Sequence, residues 1–148
     1  MRQNADKMQS VLDERRDNFP PGPTGRYTRD QADLFGHHVV LEKLLKQSPE
    51  ALSLLPKTGE LPDDSFLSLR LAPLVVYFKY YLGRRSPEPP ADFGDLCHLE
   101  YRPYCRLVVT ERDLQETLRQ LRPATRLLDA CTIENISFLR EKGSLVEE

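Results

Sequence analysis

One stretch of the chain has acidic side chains at a spacing that could place them around a metal ion: Asp92-Phe93-Gly94-Asp95-Leu96-Cys97-His98. If this run opens a helix, Asp92, Asp95 and His98 stand three residues apart and project to roughly one side. Carboxylates in a first helical turn are favoured by the helix dipole and remain free to face a cation. The spacing therefore predicts one half of a carboxylate site.

A second group of acids follows a short β-branched run, residues 106–110, of the kind that forms a buried strand. In open α/β sheets, ligands collect beyond the carboxyl ends of the strands. Acids from the helix start and acids after the strand can converge on one crevice, and clustered carboxylates bind Mg²⁺ or Mn²⁺. We therefore expect a divalent-metal site formed by these acids: Asp92, Asp95, Glu111 and Asp113.

Each of these residues also has a simpler interpretation. Asp92 and Asp95 can act only as helix caps, which is the commonest use of aspartate at a helix start. Glu111 and Asp113 open a predicted helix, where the dipole favours acids without any ligand. A histidine such as His98 is more often hydrogen-bonded to backbone at the edge of a core than bound to a metal.

A cluster of tyrosines, Tyr77, Tyr80 and Tyr81, precedes Arg84 and Arg85 at the end of an apolar helix. Such a group can stack on bases and contact phosphates of a single-stranded nucleic acid. Amphipathic packing at a helix end explains the same tyrosines with fewer assumptions.

The elements that must position these groups are mostly helical in the first two thirds of the chain. Thr28 to Gln31 fits a capping box, and Pro73 is expected to kink or divide a helix. The apolar spacing and the breakers predict helices over 1–17, 29–47, 49–55 and 65–82, with a proline-rich linker over 18–26 and a loop over 56–64.

The last third alternates strands and helices. We predict a helix start over 92–101, strands over 106–110 and 125–130, and helices over 111–121 and 132–141. Strands separated by helices imply a parallel sheet with helical cover. The predicted fold class is therefore α/β, helix-rich, with a small parallel sheet, in a single domain over 27–148. Residues 1–26 are expected to form a charged arm and linker outside the core.

Composition excludes several classes of protein. The 148 residues include 39% apolar and 30% charged residues, and the formal net charge of −2 argues against a protein that coats duplex nucleic acid or a membrane surface. The longest apolar stretch is too short to span a bilayer, and the N-terminus lacks an apolar signal core, so we expect a cytoplasmic location and no membrane partner. The three cysteines have no zinc-like spacing and indicate reduced thiols.

The run D-x-x-D-x-x-H, followed by P-Y-C and by a short strand ending in T-E-R, resembles the C-terminal half of PIN-like (PilT N-terminus) nuclease domains. The similarity is greatest to a bacterial branch of uncharacterised proteins with that spacing, and it covers at most about residues 65–142. The matching residues are Asp92, Asp95, His98, Pro103, Tyr104, Cys105, Thr110, Glu111 and Arg112.

The resemblance implies a divalent-metal-dependent endoribonuclease, of toxin type or degenerate, since PIN domains are α/β/α ribonucleases that often pair with antitoxins. It implies catalytic roles for Asp95 and Glu111, with Asp113 as the other acid after the strand. Arginines would offset the phosphate charge of RNA: Arg84, Arg85 and Arg112.

The chain departs from the PIN pattern at its start, where we find no apolar strand ending in aspartate. Glu42 lies in a suitable helix, but no motif assigns it the role of the missing acid. One alternative is a non-catalytic helical interaction module that binds a protein partner or a second copy of itself. Another is a small-molecule binding module that uses the apolar surface of the Leu71–Leu82 helix.

Overall fold

A computed structural model describes residues 2–47, 49–54, 66–86 and 91–139. Helices dominate these ranges, and the strands form a small sheet, which confirms the coarse α/β prediction. The α-helices are α1 (Arg2–Asn18), α2 (Ala32–Gln47), α3 (Leu67–Val76), α4 (Ala91–His98) and α5 (Arg112–Leu121), and the strands are β1 (Leu107–Thr110) and β2 (Thr132–Asn135). Short 3₁₀ segments cover Arg29–Gln31, Pro49–Leu54, Leu99–Tyr104, Arg122–Ala124 and Arg126–Leu128.

The chain enters α2 through the predicted capping box. The backbone N–H of Thr28 donates a hydrogen bond to Gln31 Oε1 at 3.1 Å, within the 3₁₀ turn that precedes the helix. Phe35, Val40 and Leu44 of α2 are then buried. This start signal and the apolar spacing locate α2 correctly from the sequence.

The helix that begins with α3 continues through Pro73 and changes character after it. Residues Tyr77–Leu82 form a π-helical segment, which closes where the N–H of Gly83 donates to the carbonyl of Phe78 at 3.0 Å. The five consecutive residues from Tyr77 to Tyr81 are all buried. A helix buried all round lies in the interior of a protein. Most of the apolar surface of the predicted Leu71–Leu82 helix is therefore part of the core, while Ala72, Pro73 and Val76 are only partly buried.

The N-terminal helix α1 packs into this core. Leu12 is 3% exposed and Phe19 is 9% exposed, and the Tyr81 hydroxyl donates to the carbonyl of Leu12 at 3.3 Å. The Phe19 ring meets the Phe35 ring edge-on, with centroids 5.2 Å apart. These contacts correct the expectation that residues 1–26 lie outside the core: Leu12 of α1 and Phe19, which follows the helix, are buried, whereas Val11 is 43% exposed.

The sheet consists of β1 and β2, which run parallel with Val108 opposite Ile133. Parallel pairing and the position of β1 confirm the prediction, but the second strand lies elsewhere. Residues 126–128 form a 3₁₀ turn, capped where Thr125 Oγ1 accepts from the N–H of Leu127 at 3.3 Å. The predicted strand over 125–130 is therefore wrong, since short apolar runs do not reveal their type by periodicity. The helix predicted over 132–141 begins later than predicted, because Thr132–Asn135 form β2 and helical structure appears at residues 137–139.

Within the described ranges, we find no helix with the length and apolar character needed to cross a membrane. Cys97, Cys105 and Cys131 are free thiols, as predicted.

Candidate functional site

The predicted acids of α4 and α5 converge, and they do so around a lysine. Lys79 Nζ lies 2.9 Å from Asp92 Oδ1 and 3.2 Å from Asp113 Oδ2. Arg85 forms a further ion pair with Asp113. We call these four residues the Lys79 cluster. These four side chains comprise two carboxylates and two cations.

Each member of the Lys79 cluster comes from a different local element. Lys79 belongs to the buried π-helical segment, and Asp92 and Asp113 lie in the first turns of α4 and α5, where the helix dipole favours a carboxylate. Arg84 has a left-handed backbone with φ of 52°, and the N–H of Arg85 then donates to the carbonyl of Lys79 at 3.2 Å. This turn brings Arg85 back beside the end of the π-helical segment.

The Lys79 cluster has a buried inner pair and a more exposed outer pair. The side chains of Lys79 and Asp92 are each 4% exposed, whereas Asp113 is 53% and Arg85 is 33% exposed. Burial lowers the pKa of Lys79, but the hydrogen bonds and charges of Asp92 and Asp113 outweigh it and raise the net pKa above its ordinary value. Lys79 is therefore an ammonium ion at neutral pH and cannot act as a free amine nucleophile.

The hydroxyl of Tyr80 is enclosed beside the Lys79 cluster. Tyr80 is fully buried, and its hydroxyl has no hydrogen-bond partner among the described residues. Burial raises the pKa of Tyr80 far above its ordinary value, and the neighbouring Asp92 carboxylate adds to the effect. The cluster therefore has a neutral phenol facing Asp92 without a well-formed bond to it.

Asp92 and Asp113 do not fit a divalent cation while Lys79 is present. The ammonium nitrogen occupies the place between their oxygens, and its positive charge repels a second cation there. Within the ranges that the structure describes, His, Cys, Asp and Glu side chains form no group of three or more that could hold a metal.

The structure gathers only part of the predicted site. Asp92, Asp113 and Arg85 meet in the Lys79 cluster, while Glu111 is the exposed N-cap residue of α5. The backbone of Asp95 lies in α4, but its side chain falls outside the described part of the structure. The remaining predicted residues have exposed side chains, and none contacts the cluster within the described ranges: Arg84, His98 and Arg112.

Sequence reasoning did not identify Lys79 or Tyr80 as members of the site. The available signal was a single lysine inside an otherwise apolar helix, because a buried lysine requires a partner. The neighbouring tyrosines serve the core, as the simpler interpretation predicted: the Tyr77 hydroxyl donates to the carbonyl of Thr28 at 2.7 Å, and Tyr81 bonds to α1.

A second feature lies at the outer edges of the sheet, which differ from each other. On β2, the carboxamide of Gln115 covers the edge. When the Gln115 amide is oriented so that its oxygen faces donors, that oxygen accepts hydrogen bonds from the backbone N–H of Asn135 at 3.0 Å and from the Arg119 guanidinium at 2.9 Å. The outer edge of β2 is therefore closed by a side chain of α5.

Among the residues that the structure describes, nothing covers the outer edge of β1. The carbonyl of Arg106 accepts a hydrogen bond from the N–H of Thr132 at 2.8 Å, and the carbonyl of Thr110 accepts one from the N–H of Ile136 at 3.0 Å. Because successive residues of a parallel strand bond to opposite sides, the N–H and C=O groups of Leu107 and Val109 point outward, away from β2. Within the described residues, these outward groups have no hydrogen-bond partner. Exposed apolar side chains lie in the segment that leads into β1: Tyr101 at 69%, Tyr104 at 66% and Leu107 at 46%.

Comparison with protein-family models, with curated proteins and with solved structures gave no match. The similarity to PIN-like nucleases therefore rests on the sequence residues named above and stays a prediction.

Proposed function

We propose that the chain is a non-catalytic protein-interaction module that pairs with a second copy of itself along the outer edge of β1. The open edge of β1 is the observation that supports this. A row of unpaired backbone donors and acceptors is a template for a strand from another chain. The predicted metal ligands Asp92 and Asp113 meanwhile form ion pairs with Lys79.

An antiparallel pairing of two β1 strands satisfies the outward backbone groups. With Val108 of each copy on the two-fold axis, Leu107 of one copy stands opposite Val109 of the other, and both form hydrogen-bonded pairs. Arg106 then faces Thr110.

This assembly closes on itself. The two sheets would join in the order β2, β1, β1, β2, and Gln115 covers each remaining outer edge. A two-fold dimer is the commonest form of symmetric assembly. We therefore expect a dimer rather than an open filament.

Replacing Val109 with proline tests this pairing. Proline removes the outward N–H but breaks no hydrogen bond to β2, and edge strands tolerate proline in that orientation. By sedimentation equilibrium at up to about 100 µM, a range that detects micromolar affinities, we expect a dimer for the wild type and a monomer for Val109→Pro. Val109→Ala, which keeps the N–H, is expected to remain a dimer.

Thermal melting checks that each variant is folded. A wild type that stays monomeric throughout this concentration range, or a Val109→Pro variant that dimerises equally well, contradicts the proposal.

The second candidate is the divalent-metal-dependent endoribonuclease that the resemblance implies. The observation that favours it is the meeting of Asp92 and Asp113 just beyond the end of β1, where the acids of such a site were predicted. RNA would be its substrate and Mg²⁺ or Mn²⁺ its cofactor. It requires ligands beyond these two carboxylates, because Lys79 already holds both.

The melting temperature in Mn²⁺ separates the two candidates. A ligand that binds only the native state must raise the melting temperature. For the interaction module we expect the wild type and Asp95→Asn to melt at the same temperature with Mn²⁺, with Mg²⁺ and with chelator. A rise in the wild type that Asp95→Asn abolishes would favour the nuclease and justify a cleavage assay on RNA.

A further inference from the structure

We infer that a groove along α3 binds a small amphipathic carboxylate, with the apolar part of the ligand on α3 and its carboxylate beside α2. The groove lies between α2 on one side and the end of α4 with the following 3₁₀ segment on the other. No residue of β1 lines it, so this site is independent of the dimer proposed above.

The floor of the groove is one face of α3. Ala72, Pro73 and Val76 line it and are only partly buried, whereas Leu71 and Leu74 of the same helix are fully buried. Residues four apart in an α-helix lie on one face, so Ala72 and Val76 form a continuous apolar strip. The small side chains of Ala72 and Pro73 leave room above this strip. The floor therefore suits an apolar ligand surface.

The volume of the groove is that of a small-molecule site. It measures about 390 Å³, and ligand pockets in proteins usually measure about 300–1,000 Å³. Val39 of α2 and Leu96 of α4 add apolar atoms to the two walls, and both side chains are partly buried. The space therefore suits an alkyl chain or a single ring system, held between apolar walls.

The wall formed by α1 and α2 has more cations than carboxylates. Glu42 forms ion pairs with Arg15 at 3.0 Å and with Lys46 at 2.6 Å. The hydrogen bond from Lys46 is the main cause that holds the pKa of Glu42 below its ordinary value, so Glu42 is a carboxylate at neutral pH. Lys43 lines the same wall, and its exposed ammonium has no ion-pair partner among the described residues. This wall therefore attracts a second carboxylate, which Lys43 can bind.

Glu100 determines the orientation of the ligand. It lies in the 3₁₀ segment after α4, on the wall that faces α2 across α3, and its side chain is exposed. A ligand carboxylate is repelled from Glu100 and attracted to Lys43. Hydrogen bonds between ionised groups are also stronger than those between neutral groups. The ligand therefore lies across Ala72, with its carboxylate at Lys43 and its apolar end towards Leu96.

Isothermal titration calorimetry tests the site with two probes that share an alkyl chain and carry opposite charges, decanoate and decyltrimethylammonium. We expect decanoate to saturate the wild type below about 1 mM. Lys43→Met should bind decanoate about tenfold more weakly, because it loses a hydrogen bond between charged groups. Decyltrimethylammonium should bind the wild type at least about tenfold more weakly than decanoate.

Two further variants locate the binding in the groove. Ala72→Leu fills the floor and should weaken decanoate binding at least about tenfold, whereas Lys7→Met removes an exposed lysine of α1 outside the groove and should bind decanoate like the wild type. Thermal melting shows whether each variant is folded, and Lys43→Met alone decides if Ala72→Leu is not.

Three results would each overturn the inference. The first is a wild type that decanoate does not saturate by about 1 mM. The second is equal affinity of the wild type and Lys43→Met for decanoate, or an equal loss in Lys7→Met, since the exposed lysine of the groove would then have no particular role. The third is binding of decyltrimethylammonium as tight as that of decanoate, since the alkyl chain alone would then explain it.

Discussion

Replacing Lys79 with methionine is expected to lower the free energy of unfolding by about 3–5 kcal/mol at neutral pH. Methionine fills a similar volume but removes the ammonium that pairs with the Asp92 carboxylate, which is 4% exposed. Breaking a buried ion pair from one side strands a charge in a medium of low dielectric constant, and this penalty exceeds what the pair itself contributes. Urea denaturation measures the loss.

Two controls isolate the stranded charge. Lys79→Met/Asp92→Asn removes both charges of the inner pair, and we expect it to recover most of the stability that Lys79→Met loses. Lys46 forms a comparably short ion pair with Glu42, but its side chain is 68% exposed, so Lys46→Met should change stability by less than about 1 kcal/mol. If Lys79→Met and Lys46→Met lower the free energy of unfolding equally, burial of the ion pair does not determine the loss.

Local patterns in the sequence were sufficient for α1 to α5 and for β1. The spacing of Leu114, Leu118 and Leu121 predicts one face of α5, and all three side chains are fully buried. The β-branched run before Thr110 predicts β1. In each case the signal lies within one element, so no knowledge of the rest of the molecule is needed.

The features that were missed depend on contacts between distant residues. Thr132–Asn135 becomes a strand because β1 offers it a partner, and four residues of mixed polarity carry no periodic signal of their own. Likewise, the prediction that Asp92 and Asp113 lie near each other is correct, but the predicted cation between them was a metal ion, and the structure has the Lys79 ammonium there. Lys79 lies 13 residues before Asp92 in the chain, and only the tertiary fold shows that its side chain reaches both acids.

Tyr77 and Tyr81 make the protein sensitive to alkali: we expect these two buried tyrosines to cost about 4 kcal/mol of stability between pH 10 and pH 12. Burial raises the pKa of Tyr77 to about 12 and the pKa of Tyr81 to about 12, whereas an unfolded tyrosine titrates near 10. Their stabilising contribution is complete below pH 10. It falls as pH rises, because the unfolded chain releases protons that the folded chain retains.

Lys79 acts in the same direction. Its pKa in the folded protein lies above the ordinary value, so its contribution is present below that value and disappears at higher pH. Because typical domains have about 5–15 kcal/mol of stability, these groups together can unfold the chain in alkali. Urea denaturation at half-unit steps from pH 8 to pH 12 gives the free energy, and tyrosinate absorbance reports ionisation at unfolding.

A pair of phenylalanine variants tests whether the buried tyrosines cause this loss. Tyr77→Phe removes one proton from the linkage, so the slope of stability against pH above pH 10 should fall by up to about 1.4 kcal/mol per pH unit. Tyr104→Phe alters a side chain that is 66% exposed, and the slope should stay that of the wild type. Stability that is constant up to pH 11.5, or equal slopes in the two variants, would assign alkaline unfolding to other groups.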